Sequence, residues 1–198
     1  MSFTVFDFAS LPVSRWRNGG GETREIACWP VGGDDFAWRG GDDFAWRASI
    51  ATIEQDGPFS VFPDIDRSIT LLSGKGVVLS SPHWEAHTLS IPLQPFAFPG
   101  DVPIHAHLLG GSSQDFNIMT RRGCWQASVT PISSAQELPA SHGGLVYVVR
   151  GKWLISHTET HELSASQGCW WLPAIKGGQL QPQLPDSHLL WVSLFPER

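Results

Sequence analysis

Charge is scarce in this chain. Asp, Glu, Lys and Arg make up 16% of its 198 residues, against about 25% in an average globular protein, while apolar residues reach 41%. Such a composition favours a well-buried core over disorder, and the length suits one large domain or two small ones. Basic residues are the scarcer kind: 13 Lys and Arg face 19 Asp and Glu, a net charge of −6. Proteins that bind nucleic acid gather Lys and Arg on one face, so the composition predicts no nucleic-acid partner. No basic amphipathic stretch predicts a membrane partner either. Long hydrophobic runs are also missing, none approaching the roughly 20 residues that span a bilayer. The opening "MSFTVFDFASLPVSRW" lacks a basic start, a long apolar centre and a small-residue cleavage site, which predicts no signal peptide. Cysteine is limited to Cys28, Cys124 and Cys169, far apart and without CxxC spacing. They are expected to be reduced thiols of a cytoplasmic protein, packed as small buried hydrophobes.

Helical periodicity is nearly absent too. Twenty glycines and fifteen prolines cut the chain into pieces too short for most helices. Between them lie short alternating or β-rich runs such as "FAWRASIATI", "IHAHLLG", "DFNIMT", "KWLISH" and "HLLWVSLF". Strands at this spacing predict an all-β sandwich or barrel. "ITLLSGKGVVLSS" and "LVYVVRGKWLIS" both read as hairpins, each with Gly where a tight turn needs a positive φ. One falls in each half, which suggests two similar barrels with a soft boundary near residues 120–140. Most of Trp38, Trp46, Trp125, Trp153, Trp170, Trp171 and Trp191 are expected to fill the core, since aromatics suit half-buried pleated surfaces. "GGDDFAWR" occurs twice in succession, at 32–39 and 40–47. The second copy runs straight into "ASIATI" and is expected to supply the strand, with the first looping out.

Signatures of chemistry are few. "SRWRNGGGETREI" is glycine-rich, but its glycines are contiguous, no Lys follows and no amphipathic helix opens behind it. It therefore fits neither a P-loop nor a dinucleotide fingerprint. His105 and His107 in "HAH" would share one face of a strand and resemble half of a cupin metal signature. No carboxylate follows until Asp115. "SHTETHEL" is polar enough for an exposed hairpin tip, and "HWEAH" has its Glu one position late for a zincin. No GxSxG elbow occurs. What remains is a set of polar residues in apolar strands. Arg47 and Ser49 share one face of "WRASIAT", Asp115 and Asn117 share one face of "QDFNIMT", Arg67 precedes "SITLL", and Asn18, Glu22 and Arg24 frame the glycines. Facing a barrel interior, such groups need partners or a ligand. They can be internal salt bridges and turn caps, or a cavity whose arginines clamp a carboxylate.

The segments "WRNGGGETREI" (16–26), "FAWRASIATIEQDGPFSVFPDIDRSITLLSGKG" (44–76), "LQPFAFPGD" (93–101) and "SQDFNIMTRR" (113–122) together resemble the HutD/Ves family over nearly the whole chain. "GGLVYVVRGKW" (143–153) is more similar to the Ves branch of environmental stress-induced proteins than to HutD of histidine utilisation. The resemblance implies a bicupin, two barrels of the double-stranded β-helix type, over residues 1–125 and 126–198 with strands open to exchange. It implies little chemistry: HutD members are linked to control of histidine catabolism and proposed to bind a small carboxylate such as urocanate or formylglutamate. The motif residues carried over include Trp16, Asn18, Thr23, Glu25, Arg47, Ser49, Phe59, Phe62, Arg67, Asp115 and Asn117. Where the family has Pro-Gly this chain has Pro63-Asp64, which puts the conformation of that turn in question. The expectation is a non-catalytic, cytoplasmic bicupin with a stress- or metabolism-linked regulatory role. Its partner would be a small carboxylate metabolite, held by Asn18, Arg47, Ser49, Arg67, Asp115 and Asn117, with no cofactor. The alternative is a metal-dependent cupin enzyme using His105 and His107.

Overall fold

The computed structural model describes residues 3–30, 44–138, 141–173 and 177–197. Among them strand dominates and no α-helix occurs. In chain order the strands are β1 (Thr4–Asp7), β2 (Val13–Arg15), β3 (Gly21–Trp29), β4 (Trp46–Ile53), β5 (Gly57–Pro58), β6 (Ile65–Ser73) and β7 (Val77–Ser81). Then come β8 (Trp84–Leu89), β9 (Pro95–Pro99), β10 (His105–Leu108), β11 (Ser113–Arg121), β12 (Trp125–Ile132) and β13 (Gln136–Glu137). The last are β14 (Gly143–Arg150), β15 (Lys152–Ser156), β16 (Thr160–Ser164), β17 (Gln167–Trp171), β18 (Gln179–Pro182) and β19 (His188–Pro196).

The chain forms two compact units, each with a six- or five-stranded sheet and a four-stranded one. The larger unit is Pro12–Gln126 with Glu197–Arg198. Its sheets run β2-β3-β4-β11-β6-β9 and β5-β10-β7-β8. Alternate residues of both sheets, among them Ile53, Ile69, Leu71, Leu79, Leu89 and Ala106, meet in one core, as period-two patterning dictates. The other unit is Met1–Leu11 with Ala127–Pro196. Its sheets run β1-β17-β14-β19-β12 and β13-β18-β15-β16. The N-terminal strand β1 thus pairs antiparallel with β17. This unit's core includes Val146, Trp153, Leu163, Trp171, Leu180 and Trp191. The fold is an all-β bicupin.

Several local expectations are corrected. Neither predicted hairpin pairs with itself. β6 lies in the six-stranded sheet and pairs with β11 and β9, while β7 pairs with β8 and β10 in the opposite sheet. Likewise β14 pairs with β17 and β19, and β15 with β16 and β18. The glycines do adopt positive φ, at Gly74, Gly76 and Gly151, but they carry the chain from one sheet to the other. Gly76 has no room for more: a Cβ there would stand 1.9 Å from the Leu89 carbonyl oxygen. True hairpins are β7–β8 and β15–β16, the second with "HTE" at its tip.

Trp46, Trp153, Trp171 and Trp191 are buried as expected, whereas Trp125 and Trp170 are only partly covered; Trp38 lies outside the described residues. Cys169 is buried, Cys28 half-buried, and Cys124 exposed, the last because it follows the tight turn through Gly123 rather than lying within a strand. The first "GGDDFAWR" copy lies outside the described residues. Of the second, Phe44, Ala45 and Trp46 are buried, and Trp46-Arg47 open β4. Asp64 stands in the left-handed region at φ 59°, a conformation that glycine takes without strain.

Candidate functional site

Register decides which polar groups meet. Arg47 of β4 aligns with Met119 of β11, which aligns with Arg67 of β6 and then Phe98 of β9. The next row along is Ser49, Asn117 and Ile69, and the third is Ala51, Asp115 and Leu71. Residues two apart on one strand, and residues aligned across strands, share a face. Ile69 and Leu71 belong to the core between the sheets, so this polar set faces the barrel interior.

A cavity of about 710 Å³ opens on that face. Arg47, Ser49, Arg67, Asn117 and Met119 form its floor, Trp16, Asn18 and Thr23 come from β3 and its connection to β2, and Pro58–Phe62 form a wall. The glycines of "NGGGE" allow this approach. Gly19 takes φ 72° and the Gly20 amide donates to Asn18 Oδ1 at 3.0 Å. A Cβ on Gly21 would stand 2.1 Å from the Thr52 carbonyl oxygen. Trp16 Nε1 donates to Thr23 Oγ1 at 2.8 Å, holding the indole against the Phe59 ring edge.

Arg67 dominates the interior. It occupies a position of β6 where alternation otherwise places Ile65, Ile69 and Leu71, and it is 9% exposed. Its guanidinium carbon lies 5.0–5.5 Å from the ring centroids of Phe98, Phe59 and Phe62. Its hydrogen bonding is thin: Nη1 donates to the Ser60 carbonyl at 3.4 Å, and Nε has no partner. No carboxylate pairs with it among the described residues. Burial, with the nearby Arg47 charge adding to it, brings this guanidinium down to about 10. Gly100 leaves space for the side chain, since a Cβ there would lie 3.2 Å from Arg67 Cδ and 2.8 Å from the Ile65 oxygen. Arg47 is in the opposite condition, its Nε donating to Glu25 Oε2 at 2.8 Å. Asn117 Oδ1 is buried without a partner.

Asn18, Arg47, Ser49, Arg67 and Asn117 therefore line one cavity. Asp115 does not. It is fully buried one row further along β11, both carboxylate oxygens lack partners, and burial pushes its carboxyl up to about 7. His105 and His107 are not part of the cavity either. On β10 the buried Ala106 between them joins the core, so both imidazoles point outward, exposed, with ring centroids 4.5 Å apart. His107 Nδ1 lies 3.4 Å from Asp56 Oδ2. Among the described residues no group of three His, Cys, Asp or Glu converges at metal-binding spacing. Sequence reasoning passed over Arg15 and Arg17 at the cavity mouth, because they flank Trp16 in an edge segment with no strand alternation to assign their faces.

Comparison with known proteins places these residues in context. The HutD family model matches residues 8–190. Protein Ves of Citrobacter koseri is 43% identical over 167 residues, 84% of this chain and 81% of that protein. The structure of HutD from Pseudomonas fluorescens is similar over the full length of both chains, at 26% identity and a TM-score of 0.83. An oxalate decarboxylase from Lactobacillus farciminis shares the fold alone, at 9% identity and a TM-score of 0.63, covering 100% of this chain and 87% of that one.

Proposed function

This chain belongs to the HutD family, and from that premise we propose that its larger barrel is a non-catalytic receptor for a small anionic metabolite carrying a carboxylate. One observation carries the reading: Arg67 is a buried guanidinium lining an open cavity, and no carboxylate pairs with it among the described residues. Burying an unpaired charge is costly, and three aromatic faces offset only part of that cost. A carboxylate in the cavity would supply the missing partner, with the planar fork of Arg67 bonding it in charge-assisted fashion. Ser49 and the Asn117 amide lie one row away to orient the rest of the molecule. The Phe59–Phe62 wall and Trp16 would cover its apolar part. Among the described residues the lining gathers guanidinium, amide and hydroxyl groups with aromatic faces, a set that supports recognition of an anion. That suits a stress- or metabolism-linked regulatory role. Three unpaired thiols suit the reducing cytoplasm.

A thermal-shift series with formate, acetate, propanoate and longer carboxylates tests this on the intact protein and on Arg67→Met. An acid present at about ten times its Kd adds roughly 1.4 kcal/mol, or about 3–5 °C in a chain of this size. The shift is expected in the intact protein and absent in Arg67→Met. A shift of equal size in both, or none with any acid, would overturn the proposal.

A further inference from the structure

We propose that Glu25 sets the charge of the ligand, tuning the cavity to a single carboxylate and turning dianions away. This rests on the anion-receptor reading above. The charges along the cavity pair off with one buried exception. At the mouth, Arg15 meets Glu54 at 3.1 Å and Glu22 at 3.5 Å. Arg17 beside it is exposed, where water and salt screen its pull. Further in, the carboxylate on Arg47 is the protein's own, from Glu25 at 2.8 Å. That leaves Arg67 as the one buried positive charge without a counter-charge among the described residues.

Glu25 reaches Arg47 from the neighbouring row of the same face. β3 pairs with β4 so that Thr23 aligns with Ala51 and Glu25 with Ser49, all on the cavity face. The register then shifts between Glu25 and Ala27, so that Cys28 rather than Ala27 aligns with Arg47. Such a bulge changes which side chains face inward. It brings Cys28 onto the face that Glu25 already shares with the arginine. A monoanion on Arg67 restores neutrality. A second negative group would find Arg47 already paired and the Glu25 carboxylate, whose side chain is 41% exposed, beside it as a like charge.

Succinamate and succinate have the same chain length and differ by one charge at about pH 7.5. Their affinities for the intact protein, Glu25→Gln and Glu25→Asp can be compared by titration calorimetry. The intact protein should bind succinamate about tenfold more tightly. Glu25→Gln, which frees Arg47, should abolish that preference by raising the affinity for succinate, and Glu25→Asp should keep the original order. Because each ratio is internal to one protein, a general loss of stability does not imitate the result. A ratio unchanged in Glu25→Gln, or an intact protein that prefers succinate, would overturn the role of Glu25 and leave the receptor reading standing. If neither probe bound any of the three proteins, the receptor reading would fall and this inference with it.

Discussion

Arg67 sits where alternation along β6 otherwise places apolar residues, and burying its charge costs stability. A methionine of similar reach would fill the space against Phe59, Phe62 and Phe98 without carrying a charge out of water. Arg67→Met is therefore expected to stabilise the ligand-free protein by about 1–3 kcal/mol, read as a higher urea midpoint at constant slope, while abolishing the carboxylate response. A lower midpoint would mean that the aromatic faces compensate the charge fully. Asp64 makes a smaller concession. Its φ of 59° costs a residue with a Cβ more than it costs glycine, and its side chain lies outside the cavity lining. Asp64→Gly should gain about 0.5–1 kcal/mol in the same urea assay. Arg47, Ser49 and Asn117 were legible in the sequence because alternation assigns each a face, whereas Arg67 was placed only as the residue that precedes "SITLL". The pairing of Glu25 with Arg47 was not legible, because it depends on β3 lying beside β4 with Glu25 opposite Ser49, a register that alternation within either strand does not reveal.

At the scale of elements, the strands were readable and their partners were not. "ITLLSGKGVVLSS" carries the same glycines whether the chain folds back on itself or bends across to the opposite sheet. The choice is made by β11, β9 and β10, which are distant in sequence, and by β8, which follows β7 directly; together they claim both edges of each strand. The histidine pair shows the same limit: "HAH" fixes that His105 and His107 share a face, but burial of Ala106 in the core decides that the face is outward. The corner glycines make this distinction measurable. Gly76 combines φ 90° with a Leu89 oxygen 1.9 Å from any added Cβ. Gly123 has φ 75° and nothing within 4 Å. Gly123→Ala should cost about 1 kcal/mol, the left-handed strain alone. Gly76→Ala should cost at least about 3 kcal/mol or abolish soluble expression, because strain and a backbone clash add. Equal costs at the two sites would mean that the corner relaxes freely.

For the molecule as a whole, stability against pH should run opposite to the usual carboxylate trend over one window, and Asp115 is the reason. Its carboxyl titrates near 3.8 in the unfolded chain and near 7 in the fold, where burial alone raises it. The folded state therefore holds a proton that the unfolded state has lost, so stability falls as pH rises from about 4 to about 7 and is level above that. With both oxygens unpartnered and the side chain fully buried, the loss amounts to as much as about 4 kcal/mol. The lowered carboxyls act elsewhere. Asp56, held by the Leu108 amide, and Asp101, held by Arg122, lose their stabilising effect only as pH falls below their ordinary value of 3.8. Arg67 at about 10 and the raised thiols of Cys28 and Cys169 titrate above the window. Urea unfolding at half-unit steps should show a descending limb between about pH 4 and 7 for the intact protein and a flat one for Asp115→Asn, which has the same shape and no proton to lose. The two curves should meet near pH 4 and diverge towards pH 8, with the variant the more stable. A limb that rises through this window in the intact protein would show that Asp115 finds a partner on ionising, and that the barrel interior admits water to its third row.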